Sequence, residues 1–192
     1  MSVGAIILAA GRSTRMGRPK VLLPWQGRPL LGHVTESLRA AGIAPLLVVV
    51  GPDTPALPEL PGIEVLRHPE ARQGLGTSLA AGAAALRGRV RALLVCLGDQ
   101  PGIDPAVIAA LVAALHGPHL AAAPVYRGGV RGHPVLFSAA LLPELVRLQG
   151  DRGARAVLEA HPTVLLPVDA PAPPDIDTPG DYDRLREGGG AP

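Results

Sequence analysis

A run of glycine, hydroxyl and cationic residues follows the first apolar segment of the chain. Residues 8–20 read Leu-Ala-Ala-Gly-Arg-Ser-Thr-Arg-Met-Gly-Arg-Pro-Lys, so that Gly11 and Gly17 lie among three arginines and Lys20. Such a loop after a buried strand is typical of phosphate sites, because bare backbone N–H groups approach the anion and fixed charges neutralise it. The spacing matches neither a P-loop nor a G-x-G-x-x-G fingerprint. The loop predicts polyphosphate binding; the alternative is a surface loop with solvated arginines.

Two aspartates at the ends of predicted strands are candidate metal ligands. Asp99 follows the apolar run 93–97, and Asp177 lies in a late Asp-Ile-Asp-Thr-Pro turn. Mg²⁺ is typically held by one or two protein carboxylates together with substrate phosphates. We therefore expect Asp99 to bind Mg²⁺ and Asp177 to supply the second carboxylate, with Asp175 a weaker candidate. The alternatives are a turn-forming role for Asp99 and a helix N-cap role for Asp177.

A second loop of small residues precedes an alanine-rich segment. Gly74, Gly76, Thr77 and Ser78 lie within Gln-Gly-Leu-Gly-Thr-Ser at 73–78. Small residues would let a flat base lie against the backbone, where the two hydroxyls could hydrogen-bond to it. A plain helix start explains the same residues equally well.

The other reactive residue types form no catalytic or metal-binding motif. The six histidines lack zinc-ligand spacing, and no G-x-S-x-G sequence is present. His133 has no carboxylate or second histidine at ligand spacing. Cys96, the one cysteine, lies within an apolar run and is expected to be a core residue rather than a nucleophile.

Composition favours a single α/β domain in a reducing compartment. Of the 192 residues, 47% are hydrophobic and only 2% aromatic, which favours the aliphatic core of a parallel sheet covered by helices. The net charge of +2 gives no support for nucleic-acid binding. One cysteine, no signal-peptide pattern and short apolar runs favour a cytoplasmic protein without a membrane partner. We expect one domain over residues 1–187 and a disordered tail over 188–192.

Strand and helix patterns alternate along the chain. The predicted strands are 3–8, 46–50, 63–67, 93–97, 120–125, 134–137 and 164–168. The predicted helices are 29–41, 76–86, 105–115, 139–148, 152–160 and a last one from 178. This alternation predicts a mostly parallel sheet covered on both faces, with a ligand site at the carboxyl ends of its strands.

A signature loop and five further motifs resemble the MobA-like nucleotidyltransferases, and within them the molybdenum cofactor cytidylyltransferases. The resemblance covers nearly the whole chain. The motifs are Leu-Ala-Ala-Gly-Arg-Ser-Thr-Arg-Met-Gly-Arg-Pro-Lys-Val-Leu-Leu-Pro from 8, Gly-Leu-Gly-Thr-Ser-Leu from 74, Gly-Asp-Gln-Pro from 98, Gly-His-Pro-Val-Leu-Phe from 132, Gly-Asp-Arg-Gly-Ala-Arg from 150 and Asp-Ile-Asp-Thr-Pro from 175. The chain departs from the pattern at Gly180 and in the short, proline-rich connection 51–62.

The resemblance implies a Rossmann-like three-layer αβα nucleotidyltransferase fold with a mostly parallel mixed sheet. It also implies Mg²⁺-dependent transfer of CMP from CTP to the terminal phosphate of molybdenum-carrying molybdopterin, which releases pyrophosphate and gives molybdopterin cytosine dinucleotide. Ala10 favours CTP over GTP, because family members that begin this loop Leu-Ala-Ala-Gly tend to use CTP. A molybdoenzyme or its chaperone would be a further partner.

The resemblance assigns roles to individual residues. Lys20, Arg15 and Asp99 would be catalytic, and Asp99 and Asp177 would hold the metal. Acceptor binding is implied for His133, Asp151 and Arg155. Nucleotide binding is implied for Leu8, Ala9, Ala10, Gly11, Ser13, Arg15, Gly17, Lys20, Gly74, Gly76, Thr77 and Ser78.

Three other interpretations stay open. The same fold could use GTP or another phosphorylated acceptor. The domain could instead carry the cofactor without turnover, although a carrier would not need Lys20, Arg15 and Asp99 together. An NAD-dependent oxidoreductase has less support, because both the glycine spacing and the acidic residue about twenty positions later are missing.

Overall fold

One mixed sheet of eight strands organises the chain. The computed structural model describes residues 2–11, 16–17, 19–58, 60–151 and 153–188. The strands are β1 (Ser2–Ala9), β2 (Pro24–Trp25), β3 (Arg28–Pro29), β4 (Leu46–Val50), β5 (Ile63–Arg67), β6 (Val90–Leu97), β7 (Ala121–Tyr126), β8 (Val130–Arg131), β9 (Val135–Ser138) and β10 (Thr163–Pro167).

The order of strands is β10-β7-β9-β6-β1-β4-β5, with β8 beside β7 and a separate β2–β3 hairpin. Within the eight-stranded sheet, pairing is parallel except where β8 and β9 meet their neighbours, and β2 and β3 pair antiparallel. β1 lies between β4 and β6, so the loops that follow β1 and β6 open side by side at one edge of the sheet.

The described residues form six helices. They are α1 (Leu30–Ala40), α2 (Leu75–Leu86), α3 (Pro105–Ala114), α4 (Leu142–Leu145), α5 (Arg155–Ala160) and α6 (Pro179–Gly188). α3 begins as its sequence predicts, because Asp104 accepts a hydrogen bond from the Ala106 backbone N–H and Pro105 fits the first turn. Within the described residues, none of the helices has the length and apolar character needed to cross a bilayer.

The side chains of β1 show how two layers of helices share one sheet. Successive strand residues point to opposite faces, so Ala5 and Ile7 belong to the core formed with α1 and α3, and Ile6 to the core formed with α2, α4 and α5. At Gly82 of α2 an added Cβ would lie 2.8 Å from Ile6 Cδ1, which shows how closely that helix packs. Cys96 is fully buried in the first core, which confirms the expectation of a core residue.

A smaller apolar cluster joins the β2–β3 hairpin to α6. Leu23, Leu30, Ile176 and Tyr182 are buried in it, and the Tyr182 hydroxyl donates a hydrogen bond to the carbonyl oxygen of Pro24. Ile176 lies between Asp175 and Asp177 in the sequence. Its burial therefore fixes the loop that carries both carboxylates.

The predicted fold class is confirmed, with local differences. The strands at 46–50 and 63–67 have the predicted bounds, whereas the hairpin β2–β3 and strand β8 have no counterpart in the sequence-based prediction. These strands are two residues long, too short to show a period. The segment 139–148 is a 3₁₀ turn followed by α4 rather than one helix. Gly188 is the last residue of α6, and residues 189–192 of the predicted tail lie outside the described residues.

Candidate active site

Lys20 bridges two carboxylates at the carboxyl edge of the sheet. Its Nζ lies 2.7 Å from Asp177 Oδ1 and also pairs with Asp99 Oδ2. The three residues come from separate parts of the chain: Lys20 opens a 3₁₀ turn, Asp99 follows β6, and Asp177 lies between β10 and α6. Lys20 is also the chain's single lysine among 18 lysines and arginines.

Partial burial distinguishes this ion-pair cluster from the surface pairs of the protein. The side chains of Lys20 and Asp99 are 16% and 11% exposed, against 56% for Asp177. Burial disfavours the ammonium, but the hydrogen bonds and charges of Asp177 and Asp99 outweigh it and raise the pKa of Lys20. The lysine is therefore fully charged at neutral pH.

A second contact ties the loops that carry the carboxylates. Gln100 Nε2 donates a hydrogen bond of 2.7 Å to Asp175 Oδ1. Burial raises the pKa of Asp175, and the negative charges of Asp99 and Asp177 add to that effect against the hydrogen bond from Gln100 and the charge of Lys20. Asp175 and Gln100 thus join the loop after β6 to the loop after β10.

The two carboxylates that pair with Lys20 are of the kind that binds a divalent cation. Carboxylate oxygens are the hard ligands that Mg²⁺ and Mn²⁺ prefer. No group of three or more His, Cys, Asp and Glu side chains suited to a metal ion occurs among the described residues. Asp99 and Asp177 would therefore hold such an ion together with water and phosphate oxygens from a substrate, as Mg²⁺ commonly requires.

A cleft of 510 Å³ opens beside these residues, and we call it the lysine cleft. Its walls come from the end of β1 and the loop after it, from the start of α2, and from the loops that carry the carboxylates. It is lined by Leu8, Ala9, Ala10, Gly11, Pro19, Lys20, Val21, Ala71, Arg72, Gly74, Leu75, Ser78, Leu97, Asp99, Asp151, Asp175 and Asp177.

Gly74 shapes one wall of the lysine cleft. Its φ of +124° lies in a region that side chains disfavour, and an added Cβ would overlap the backbone of Gly150. The N–H of Gly76 donates to the Gly150 carbonyl oxygen at 2.8 Å, and this contact brings Asp151 to the cleft. The Thr77 hydroxyl donates to the carbonyl oxygen of Gly74 at 2.8 Å, so its hydrogen bond is made within the first turn of α2.

A second cleft, also of 510 Å³, adjoins the first, and we call it the arginine cleft. Leu8 and Leu75 line both. Its described lining contains apolar side chains, glycines, one histidine and two arginines, and no carboxylate. It is lined by Leu8, Leu75, Leu79, Val95, Gly129, Arg131, Gly132, His133, Val135, Phe137, Gly153, Ala154, Arg155 and Leu158.

The structure distributes the residues singled out in the sequence over these two clefts. His133 and Arg155 line the arginine cleft, whereas Asp151 lines the lysine cleft. Those that line the lysine cleft are Leu8, Ala9, Ala10, Gly11, Lys20, Gly74, Ser78, Asp99 and Asp177. Gly17, Gly76 and Thr77 line neither cleft. Ser13 and Arg15 lie outside the described residues.

Among the cleft residues that sequence reasoning did not single out, three stand at chemically informative positions. Arg72 lines the lysine cleft and pairs with Asp53, Arg131 lines the arginine cleft, and Leu75 lies between the two clefts. Arg72 and Arg131 lie next to motifs that the sequence analysis identified, and Leu75 lies within one, so a position in or beside those motifs was the available signal.

Comparison with known proteins reveals relatives over nearly the whole chain. Residues 5–172 match the family model described as the MobA-like NTP transferase domain. Nicotine blue oxidoreductase of Paenarthrobacter nicotinovorans is 32% identical over 197 aligned residues, which cover 96% of this chain and 94% of that protein.

Solved structures show the same similarity. Rv0371c of Mycobacterium tuberculosis H37Rv is 33% identical, with a TM-score of 0.87 over 97% of this chain and 98% of that chain. The structure of its complex with manganese gives 32% identity and a TM-score of 0.83 over 97% and 99% of the two chains. A nucleotidyl transferase from Methanothermobacter, 24% identical, shares the fold with a TM-score of 0.79 over 98% of this chain and 97% of that chain.

Proposed function

Because the chain belongs to the MobA-like NTP transferase family, we propose that it transfers CMP from CTP to a molybdopterin-type phosphomonoester. The products are pyrophosphate and molybdopterin cytosine dinucleotide. The position of Lys20 between Asp99 and Asp177 carries the proposal, because it brings a fixed cation and two potential metal ligands to one point. That point faces a cleft that residues 8–11 line on one side.

The reaction needs charge neutralisation more than proton transfer. An oxygen of the acceptor phosphate attacks the α-phosphorus of CTP, and the bond from that phosphorus to the pyrophosphate oxygen breaks. The acceptor phosphate is already an anion at neutral pH, so no strong general base is required. Negative charge builds on the α-phosphate and on the leaving pyrophosphate, and a preorganised cation stabilises it without reorganisation.

Lys20 is the described side chain that supplies this charge. On nucleotide binding it exchanges an aspartate partner for a phosphate oxygen, while backbone N–H groups of the loop that follows β1 orient the triphosphate. We assign Arg15 the same neutralising role from its place in the motif. A divalent ion held by Asp99 and Asp177 would add positive charge and orientation at the phosphates.

The arginine cleft supplies a place for the acceptor. It adjoins the lysine cleft at Leu8 and Leu75, so a molecule bound there could extend a phosphate towards Lys20. His133 and Arg155 would contact the acceptor, and Asp151 would lie at the junction. We also propose one domain over residues 1–187, a cytoplasmic location and delivery of the product to a molybdoenzyme or its chaperone.

Thermal unfolding with each nucleotide tests the proposal. With Mg²⁺ or Mn²⁺ and a hundredfold excess over Kd, a ligand adds about 2.7 kcal/mol, which raises the Tm of a domain of this size by roughly 5–10 °C. We expect the largest increase with CTP, its loss in Lys20→Met and its retention in the surface control Arg39→Ala. A larger increase in Tm with GTP would identify GTP instead of CTP as the donor. No increase with CTP, GTP, ATP or UTP would contradict nucleotide transfer.

Oxidoreductase activity is the second candidate, because the relative named nicotine blue oxidoreductase is similar over nearly the whole chain. A hydride transfer has no use for a lysine between two carboxylates, which favours the transferase. The discriminating measurement is oxidation of NADH or NADPH in the presence of nicotine blue. We expect no such oxidation. Oxidation of NADH or NADPH that persists in Lys20→Met would replace the transferase proposal with an oxidoreductase.

A further inference from the structure

Asp181 accepts hydrogen bonds from the short segment that carries Asp177. One oxygen of its carboxylate, Oδ2, accepts from the Asp177 backbone N–H at 3.1 Å, from the Thr178 backbone N–H at 2.7 Å and from the Thr178 hydroxyl at 2.7 Å. A carboxylate accepts such bonds more strongly than a neutral group does. The backbone at Asp177 is therefore held by a charged side chain that lies four positions later in the chain.

Part of this arrangement is a helix cap. Thr178 immediately precedes α6, and its hydroxyl oxygen accepts from the Asp181 N–H at 3.2 Å, while Asp181 accepts from the Thr178 N–H. These reciprocal bonds form a capping box, which satisfies N–H groups at the start of a helix. A capping box needs no contact with the residue before the cap. The bond from the Asp177 N–H is therefore additional to what α6 requires.

α6 supports Asp181 in a fixed position. The next residue, Tyr182, is buried, and its hydroxyl donates a hydrogen bond to the carbonyl oxygen of Pro24 in the β2–β3 hairpin. The second oxygen of Asp181, Oδ1, pairs with Arg184 about one turn further along the helix. Both oxygens of the carboxylate are thus occupied, and the side chain has little freedom to turn away from Asp177.

The segment that ends at Asp177 is fixed at its other end by different contacts. Asp175 accepts a hydrogen bond of 2.7 Å from Gln100, and Ile176 is fully buried. Asp177 is the exposed end of the segment, with 56% of its side chain accessible. The backbone bond to Asp181 therefore extends the fixed part of the loop as far as the second candidate metal ligand.

This support for Asp177 matters most when Lys20 leaves it. Asp177 Oδ1 lies 2.7 Å from Lys20 Nζ, and under the proposed function the lysine exchanges an aspartate partner for a phosphate oxygen. An exposed carboxylate that has lost its partner is free to turn towards water. Because Asp181 fixes the backbone beneath that carboxylate, fewer positions are open to it, and ordering it around a cation costs less conformational entropy.

We propose that Asp181 is a positioning residue that presents the Asp177 carboxylate to a divalent cation shared with Asp99. Asp181 is not among the residues that line the lysine cleft, so it acts through the backbone of Asp177. Hydrogen bonds from outside the ligand set commonly orient metal ligands in this way. The inference rests on the proposed function, because the cation is the one assigned there to Asp99 and Asp177.

Mn²⁺ binding to the full chain without nucleotide tests the inference, and electron paramagnetic resonance of free Mn²⁺ measures it. We expect Asp181→Ala to weaken Mn²⁺ binding by about tenfold, a typical cost of losing a partner that orients a metal ligand. Asp183→Ala is the matched control for charge. It removes an exposed carboxylate from the same helix, and within the described part of the chain Asp183 makes no hydrogen bond or ion pair. Its Mn²⁺ affinity should equal that of the wild type.

A stability control separates positioning from helix capping. Asp181→Ala also removes a cap from α6, so urea unfolding should show a loss of stability. Tyr182→Phe removes the hydrogen bond to Pro24 and should also destabilise the protein, but it leaves the contacts of Asp177 intact. We expect Tyr182→Phe to keep the wild-type Mn²⁺ affinity. Equal losses of Mn²⁺ affinity in Tyr182→Phe and Asp181→Ala would make Asp181 a helix cap alone and overturn the inference.

A conservative variant guards against general damage to the fold. Asp181→Asn keeps an oxygen that can accept from the same donors, without the negative charge, and should recover part of the Mn²⁺ affinity that Asp181→Ala loses. Recovery of stability in Asp181→Asn without any recovery of Mn²⁺ affinity would contradict positioning through the backbone of Asp177.

The inference and the proposed function fail in different measurements. Weaker Mn²⁺ binding in Asp177→Asn together with unchanged binding in Asp181→Ala would overturn the positioning role and leave the metal ligands as proposed. Unchanged Mn²⁺ binding in Asp177→Asn would overturn the cation assignment and the inference with it. Nucleotide transfer is tested separately by the increase in Tm of the wild type with CTP, so its failure would be visible even where the Mn²⁺ results are as expected.

Discussion

The two clefts share Leu8 and Leu75 and have equal volumes of 510 Å³, yet their chemistry is opposite. The lysine cleft has four aspartates in its lining beside Lys20 and Arg72, whereas the arginine cleft has cations and apolar walls without a carboxylate in its described lining. Acidic groups are thus concentrated where a divalent ion and a triphosphate would meet, and are absent where an organic ring would bind. Under the proposed function, bond breaking and recognition of the acceptor would take place in neighbouring clefts that share Leu8 and Leu75.

Removing a charge from the lysine cleft should have the largest effect. Lys20→Ala and Asp99→Ala should each lower the rate of pyrophosphate release by roughly a hundred- to a thousandfold, or about 2.7–4 kcal/mol, because each removes preorganised stabilisation of developing charge. Circular dichroism checks that the fold is intact. Near-normal turnover by either folded variant would show that the lysine cleft does not take part in the reaction.

A substitution at Gly74 tests the contact between the start of α2 and Gly150, next to the boundary between the clefts. Gly74→Ala places a Cβ against Gly150 at a positive φ and should destabilise the protein by about 1–3 kcal/mol. Gly153→Ala is the matched control, because its Cβ would meet nothing within 4 Å. Urea unfolding measures both, and equal stabilities would show that the contact between the start of α2 and Gly150 is not needed.

The lysine should compete with a divalent ion for its two carboxylates. Without nucleotide, Lys20→Met should bind Mn²⁺ about tenfold more tightly than the wild type, because an ammonium charge a few ångströms from the carboxylates is gone. Titration followed by electron paramagnetic resonance of free Mn²⁺ measures this. Asp99→Asn in the same background should reverse the gain, and unchanged affinity in Lys20→Met would exclude a shared site.

A smaller effect is expected from the neutral histidine of the arginine cleft. Burial makes the pKa of His133 lower in the folded chain than in the unfolded chain. The free energy of unfolding is therefore unaffected by this group above about pH 6.5, and it decreases as pH falls from there through the folded pKa. The wild type should therefore lose stability relative to His133→Gln below pH 6.5. Urea midpoints at pH 7.5 and 5.5 measure the difference, and a constant difference would contradict a neutral His133.

Local pattern predicted the sheet well and the site only in part. Strands such as β4 are continuous apolar runs whose type and bounds follow from five residues. Asp99 and Lys20 could be identified because both lie directly after strands or loops with unusual composition. The contact of Lys20 with Asp177 spans 157 positions, so no local pattern contains it.

The arginine cleft was the harder part to predict. It forms only when α2, α5 and β9 pack around His133, and its apolar lining has the composition of any core. Arg131 comes from the two-residue strand β8, which has no periodicity to recognise. Separating Asp151 from Arg155, four residues apart in one motif, likewise required the packing of Gly150 against the start of α2.

Because the chain has one lysine, chemical modification reports on the lysine cleft without ambiguity. Pyridoxal 5′-phosphate followed by borohydride reduction labels lysines near phosphate sites, and peptide mass spectrometry separates Lys20 from the α-amino group, which serves as the internal reference. We predict that Lys20 is labelled and that CTP with Mg²⁺ slows its labelling while the reference rate is unchanged. Labelling of Lys20 at the same rate with and without every nucleoside triphosphate would contradict a triphosphate site at Lys20.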